Sequence, residues 1–107
     1  MRVFIALFMM FFAAAAQAAP FYQGVWVADG MTCDNGLKIT KARMFGLENQ
    51  CVLEDPVAIR GLDGILFDRF CEGEGMKSKD RILFLNGSDG RLTIFNAGFT
   101  VIYDRCP

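Results

Sequence analysis

The sequence predicts an all-β domain: a small antiparallel meander of roughly seven or eight short strands that forms a compact barrel or a curled sheet. The first observation is that short apolar-rich runs alternate with turn formers from residue 21 to residue 105. The second is that short turns rich in Asn and Gly join the last three runs, which is typical of consecutive hairpins. The third is the presence of four cysteines in a short chain, an even number that indicates two disulfides.

Residues 1–18 precede this domain and have the features of a secretory signal peptide. They have a positively charged start, an apolar middle and the small-residue motif Ala16-Gln17-Ala18 before the predicted cleavage site. The apolar stretch is shorter than the roughly 20 residues that a membrane-spanning helix needs. We therefore expect a single secreted or periplasmic β-domain over residues 19–107, which is not inserted in a membrane after cleavage.

The predicted strands follow one another along this domain with short connections. The first is apolar on both faces, which favours a central strand or a closed barrel. The segment 41–47 is either a paired strand or one helical turn, because so short a run has no decisive periodicity. The predicted strands are 21–28, 37–40, 52–59, 65–70, 81–85, 91–95 and 99–105.

Gly24-Val25-Trp26 lies near the start of the first predicted strand. This triplet resembles the G-x-W signature of the calycin group, which includes the lipocalins and the small barrel inhibitors of bacterial metalloproteases. The resemblance implies a barrel whose closed end is plugged by the Trp26 indole. It also implies a basic residue near the C-terminus that packs over the ring, and Arg105 has a suitable position for such a cation–π contact.

Two of the three ways of pairing the four cysteines merit attention. The favoured pairing joins Cys51 to Cys71 across a predicted hairpin and Cys33 to Cys106 near the end of the chain. In a meander the second pair would share an edge only if the number of strands were odd. The alternative joins Cys33 to Cys51 and Cys71 to Cys106. Zinc binding is disfavoured, because the spacing contains no C-x2-C pair.

The hairpin between Cys51 and Cys71 also predicts which side chains share a face. Side chains alternate along a strand, so the cysteines should share their face with Leu53, Val57, Ile59, Ile65 and Phe67. Pro56 cannot donate to a β-ladder, so we expect the strand to break near Asp55-Pro56. Asp55 and Arg69 should lie opposite one another on the cysteine face and form an ion pair, since an unpaired buried charge is costly.

The residue types exclude several kinds of chemistry. The chain has no histidine, which excludes Ser-His-Asp and Cys-His catalysis, and cysteines in disulfides are not nucleophiles. Loss of the signal peptide leaves ten basic and twelve acidic residues, a net charge of −2. A nearly neutral domain without a basic stripe is not expected to bind nucleic acid. We expect a monomeric protein that is not an enzyme and holds neither a cofactor nor a metal.

Two classes of function fit these expectations. The first is a binding or inhibitory module that engages a secreted or periplasmic protein, with Asp68, Glu72 and Glu74 as the candidate contact residues. The second is a carrier of a small apolar ligand in the calycin manner. A structural protein of the envelope is a further alternative. A carrier needs a cavity of about 300 Å³ or more. The many bulky residues in so short a chain predict a solid core, which favours the binding module.

Overall fold

The computed structural model describes residues 18–107 and shows a closed antiparallel β-barrel. The predicted signal peptide lies outside the described residues, apart from Ala18. No helix within residues 18–107 is long and apolar enough to cross a membrane. The strands are β1 Gly24–Val27, β2 Leu37–Ile39, β3 Arg43–Phe45, β4 Gln50–Ala58, β5 Gly64–Gly73, β6 Met76–Asn86, β7 Leu92–Asn96 and β8 Phe99–Arg105, with one 3-10 turn at Cys33–Asn35.

The eight strands pair in chain order, and β8 closes the barrel against β1. The all-β meander is thus confirmed, and the ambiguous segment 41–47 contains the strand β3. β5 and β6 form the longest ladder, from Gly64↔Leu85 to Gly73↔Met76. The seam between β1 and β8 is short and consists of two facing pairs, Trp26↔Arg105 and Val27↔Asp104.

A meander of eight strands places its connections alternately at the two ends of the barrel. The connections β2–β3, β4–β5 and β6–β7 lie at one end together with the first described residues and the C-terminus. This end is called the closed end below. The connections β1–β2, β3–β4, β5–β6 and β7–β8 start from the opposite end, which is called the open end.

Aromatic side chains fill the barrel towards the closed end. The Tyr22 ring lies 5.1 Å from the Phe84 ring and 5.5 Å from the Phe67 ring, measured between centroids. The Trp26 side chain is 1% exposed, and its Nε1 donates a hydrogen bond of 2.8 Å to the Tyr22 carbonyl. The Tyr22 hydroxyl donates to the Lys41 carbonyl at 2.8 Å. These bonds satisfy the two polar aromatic groups that burial would otherwise leave unpaired.

Arg105 covers the outer side of the Trp26 ring. Its guanidinium carbon lies 4.2 Å from the ring centroid, well within the range of a cation–π contact. Nη1 and Nη2 of Arg105 donate to the carbonyls of Gln23 and Phe21, each at 2.8 Å. The last strand is thereby fastened to the segment that precedes the first, and the barrel is closed at this end.

The strand β4 breaks where Pro56 predicts it. The β4–β5 register shifts between Glu54 and Val57, and Asp55 adopts φ 54°. The extra residue turns Val57 to the outside, where its side chain is exposed. The prediction that Val57 shares the cysteine face is therefore wrong, because the bulge reverses the alternation.

The predicted ion pair between Asp55 and Arg69 is also wrong. Leu53, rather than Asp55, faces Arg69 across the ladder. Asp55 lies exposed in the bulge, and Arg69 pairs with Asp80 of β6 instead. The expectation failed because it assumed an unbroken register through Pro56.

Both favoured disulfides are confirmed, and they occupy different sides of the barrel wall. Cys51 and Cys71 face one another across β4 and β5 and are buried in the core. Cys33 pairs with Cys106 across a sequence separation of 73 residues. This pairing does not require an odd number of strands, because the connection after β1 folds back along the outside of the barrel.

The packing of Gly36 shows how closely that connection follows β1. A methyl group at Gly36 would lie 2.8 Å from Cγ1 of Val25, on the outer face of β1. The backbone N–H of Cys106 donates to the Val25 carbonyl at 2.9 Å on the other side of the same strand. The two cysteines thus meet beside β1 even though their strands end at opposite ends of the barrel.

Candidate functional site at the open end of the barrel

A cavity of about 230 Å³ lies inside the open half of the barrel. Nine of its lining residues belong to six different strands and alternate with outward-facing neighbours, so they share the interior of the barrel. The glycine and asparagine of the β3–β4 connection complete the lining. The residues are Leu37, Met44, Gly46, Asn49, Cys51, Arg69, Ile94, Asn96, Phe99, Val101 and Tyr103.

The cavity exists because the large side chains of the core are unevenly distributed. The rings of Tyr22, Trp26, Phe67 and Phe84 pack together in the closed half. On β8 the inward-facing positions nearest the open end hold Phe99 and Val101, and the Phe99 side chain is 74% exposed. The open half of the barrel is therefore less completely filled than the closed half, although its cavity is smaller than the roughly 300 Å³ that a carrier needs.

A polar cluster of Arg69, Asp80 and Asn96 lies inside the wall beside this cavity. Nε and Nη2 of Arg69 both donate to the Asp80 carboxylate, and the Nε–Oδ1 distance is 2.8 Å. Nδ2 of Asn96 donates to the same carboxylate at 3.0 Å. These hydrogen bonds lower the pKa of Asp80, against the opposing effect of partial burial.

The bidentate pair leaves one nitrogen of Arg69 uncommitted. Nη1 has no hydrogen-bond partner within residues 18–107, and Arg69 lines the cavity. Tyr103 lines the same cavity. Burial raises the pKa of Tyr103, and the Arg69 charge opposes that rise, so the phenol is neutral at physiological pH and can donate or accept. The cavity is thus mainly apolar, with a few polar groups at one side.

A groove lies on the outer face of the wall at the open end, beside the tip of the β5–β6 hairpin, because its strand residues, such as Glu72 and Lys77, alternate with the inward-facing ones. It has a volume of about 580 Å³ and shares Gly46 and Asn49 with the cavity. Two carboxylates, Glu48 and Glu72, and one ammonium, Lys77, lie along it. The complete lining is Phe45, Gly46, Leu47, Glu48, Asn49, Gln50, Glu72, Gly73, Gly75, Met76 and Lys77.

Large apolar side chains surround the open end. Leu47 is 78% exposed and Met76 is 76% exposed, and both line the groove. Phe99 lines the cavity. Leu47 lies in one connection of the open end, and Met76 and Phe99 each follow another, so the barrel topology places all three at that end. Exposed apolar residues clustered about a concavity are typical of binding surfaces.

The structure separates the three acidic residues that the sequence singled out. Glu72 lies in the groove, 3.7 Å from the Lys77 ammonium, with both side chains well exposed. Glu74 occupies the hairpin turn with φ 49° and borders a second concavity, which lies on the inner side of the hairpin. Asp68 lies further along the wall and pairs with Arg81 at 3.3 Å. Only Glu72 and Glu74 therefore belong to the open end.

Sequence reasoning missed several residues of this site, among them Glu48 and the Arg69–Asp80 pair. Asp80 precedes the predicted strand 81–85, but it lies in β6 at an inward-facing position, two and four residues before Ile82 and Phe84. Extending the alternation of the apolar residues backwards would have placed it inside the barrel. Arg69 lies two residues from both Phe67 and Cys71, on the cysteine face where the sequence placed it, but its partner was not predicted.

Within residues 18–107 no group of three or more Cys, Asp or Glu side chains is arranged to hold a metal ion. The cavity and groove therefore offer hydrogen bonds, charge and apolar contact.

Together these features define a small disulfide-linked β-barrel with one closed end and one open end that leads into a cavity. No family model matches the chain, and no curated protein or solved structure shows significant similarity to it. The contact between Trp26 and Arg105 that the calycin resemblance implies is present. Membership of the calycin group stays a prediction.

Proposed function

We propose that this protein is a small, non-enzymatic binding module that engages a partner protein through the open end of its barrel. The observation that carries the proposal is the cluster of exposed apolar side chains, Leu47, Met76 and Phe99, around the cavity and groove. Exposing such side chains to water is unfavourable, and a partner that covers them would recover that free energy. If the partner is a secreted hydrolase, the module would act as an inhibitor.

The size of the cavity supports a protein partner over a stored small molecule. Its volume of about 230 Å³ is below the roughly 300–1,000 Å³ of pockets that enclose drug-sized ligands. It is large enough for one side chain of a partner. The groove and the exposed rim extend the contact well outside the cavity, as a protein interface requires.

The lining of the cavity favours a second candidate, the carrier of a small apolar ligand. Leu37, Met44, Ile94 and Val101 present aliphatic surface to the interior. A compact apolar molecule would fit such a space, with a polar end at Arg69. The two candidates differ in what the purified protein retains: a protein bound at the rim, or a small molecule held inside.

The two disulfides indicate an oxidising compartment. We propose that the compartment is the periplasm or the extracellular space, to which residues 1–18 would direct the chain.

The test is affinity capture from periplasmic or secreted extract with three immobilised forms of the protein: wild type, Leu47→Ser and Leu62→Ser. Leu47 and Leu62 are both exposed leucines in connections, 78% and 63% exposed, but Leu62 lies at the closed end. We expect a partner that binds wild type and Leu62→Ser and is reduced at least about fivefold on Leu47→Ser.

Equal capture by all three forms would show that the open end is not the site. Native mass spectrometry of the purified protein supplies the second readout. A stoichiometric small ligand, together with no partner dependent on Leu47, would replace the binding module by the carrier.

A further inference from the structure

The last strand, β8, has a neighbour on only one side along most of its length. It pairs with β7 from Phe99 to Tyr103, but it pairs with β1 only at Asp104 and Arg105. The chain leaves the line of β1 after Val27 and folds back along the outside of the barrel. Within residues 18–107 no strand therefore lies beside the first half of β8 on this side, and the barrel wall has a free edge at its open end.

The backbone groups of this edge point into the gap that β1 leaves. The Cys106 N–H donates to the Val25 carbonyl at 2.9 Å, so Cys106 turns its backbone groups towards β1. The direction of these groups alternates from one residue to the next along a strand. Thr100 and Ile102 therefore each present an N–H and a carbonyl on the same side as Cys106, where the described chain provides no strand to pair with them. An edge of this kind is a template for a further strand.

The gap beside β8 lies next to the cavity. The lining of the cavity includes Leu37 of β2 and Val101 of β8, but it includes no residue of β1, the strand between them. Val101 faces inwards and is nevertheless exposed, whereas Ile94, its facing residue on β7, is buried. The cavity is therefore the space that the inward-facing side chains of a longer β1 would fill.

A strand added in this gap would place its side chains in a defined way, because facing residues of neighbouring strands share one face of the sheet. The residue opposite Val101 would enter the cavity. The residues opposite Thr100 and Ile102 would lie on the outside, beside the exposed Ile102 side chain. A second copy of this chain would bring only another valine to the cavity, in the register that pairs all four free backbone groups. A valine fills only part of about 230 Å³, so a segment with a larger apolar residue fits better.

We propose that the open end binds an extended segment of the partner protein, which adds to the free edge of β8 as an antiparallel strand. The central residue of the segment is large and apolar and occupies the cavity. The residues on either side of it pair with Thr100 and Ile102 through their backbones. Neither of them is proline, because proline has no N–H to donate. This inference rests on the proposed function and adds the way in which the partner is bound.

The test uses four capped pentapeptides and the purified, disulfide-linked protein labelled with ¹⁵N. The first peptide is acetyl-Ser-Thr-Phe-Thr-Ser-amide. The second has an N-methyl group on each threonine, whose N–H groups would face β8, and the third has one on the phenylalanine, whose N–H would face away. The fourth replaces the phenylalanine by alanine. From the amide shifts we expect the second and fourth to bind at least about tenfold more weakly than the first, and the third within about threefold of it.

Hydrogen exchange and a matched pair of variants locate the added strand on the protein. Bound peptide should slow the exchange of the Thr100 and Ile102 amides at least about tenfold, because both gain partners. The Val101 and Tyr103 amides face β7 and should change less. Ile102→Pro removes a free N–H without breaking a bond to β7 and should weaken the first peptide at least about tenfold. Ile102→Thr keeps the N–H and should bind nearly as well as wild type, and spectra without peptide report whether each variant is folded.

Equal binding of the first two peptides, no binding of the first at millimolar concentration, or unchanged exchange of the Thr100 and Ile102 amides would overturn strand addition. A dimer of this chain that Ile102→Pro abolishes, seen by sedimentation, would overturn it as well. The proposed function has a separate readout. A partner whose capture depends on Leu47 but is the same with Ile102→Pro would leave the binding function standing and contradict strand addition.

Discussion

The two ends of this barrel are built from the same kind of inward-facing positions but hold opposite kinds of side chains. The closed end contains Trp26, which is 1% exposed, beneath the Arg105 guanidinium. The open end presents Phe99, which is 74% exposed, above a cavity. Both are aromatic residues at inward positions of strands that belong to one sheet. The difference shows that strand alternation decides which residues face the interior, whereas the chain termini decide which end is filled.

Part of the filling of the closed end comes from residues outside the strands. Phe21 and Tyr22 precede β1, and their carbonyls accept hydrogen bonds from Arg105 and Trp26. No comparable segment covers the open end among the described residues. We expect stability to depend on the closed end and binding on the open end, and the following changes test that division.

The largest effect is expected from Trp26→Ala. Removing a fully buried aromatic side chain costs about 3–5 kcal/mol of unfolding free energy, because burial is lost and a cavity remains. Urea denaturation followed by circular dichroism measures the loss. The matched change at the open end is Phe99→Ala, for which we expect less than about 0.5 kcal/mol. Similar losses for the two variants would contradict the division between the ends.

A smaller effect is expected from Arg105→Met. This variant keeps the bulk over the indole but loses the cation–π contact and the hydrogen bonds to the Phe21 and Gln23 carbonyls. We expect a loss of about 1–3 kcal/mol in the same denaturation experiment. Arg105→Lys retains the charge but not the forked donor geometry, so it should fall between Met and wild type. A wild-type midpoint for Arg105→Met would show that the contact does not hold the seam.

The smallest effect that we expect is a loss of folding stability at acid pH, caused by the protonation of Asp80 in the open half. The Arg69 hydrogen bonds lower the pKa of Asp80 in the folded protein. The unfolded chain therefore binds the proton more readily, and the resulting stability is fully present above the unfolded pKa of about 4. It is lost as pH falls through the folded pKa. Urea midpoints measured from pH 7 down to about pH 2 should show this loss.

Asp80→Asn is the control for that titration. It removes the carboxylate, so the variant should be less stable than wild type at pH 7 and should approach it at low pH. A constant difference between the two proteins across the range would mean that Asp80 does not contribute to the acid dependence.

Much of the fold could be predicted, because it depends on local patterns that survive in the structure. Alternation and turn residues predicted a meander of the observed kind, and the facing positions of Cys51 and Cys71 follow from their hairpin. The errors arose where one residue changed the pattern. The bulge at Asp55-Pro56 turned Val57 outwards and separated Asp55 from Arg69. A bulge can be expected from proline, but its effect on the following side chains depends on where the register resumes.

The binding site was harder to predict, because it depends on which connections meet. Leu47, Met76 and Phe99 are far apart in the chain and come together only after the barrel closes. Glu72 and Glu74 attracted attention as acidic residues close in sequence, whereas Glu48 joins them through the β3–β4 connection. The cavity exists because the large aromatic rings lie mainly in the closed half of the barrel. No local sequence pattern predicts that distribution.

The Cys33–Cys106 disulfide has a mechanical consequence. It makes residues 33–106 a covalent ring that bridges the short β1–β8 seam. Tension applied between residue 18 and the C-terminus would pass through the sulfur atoms and would extend only the residues before Cys33. At about 3.5 Å per residue, that stretch would lengthen by no more than about 50 Å. Load would reach β2 and β8 only through the hydrogen bonds of β1, and it would no longer reach the other strands once β1 detaches while the bond is intact.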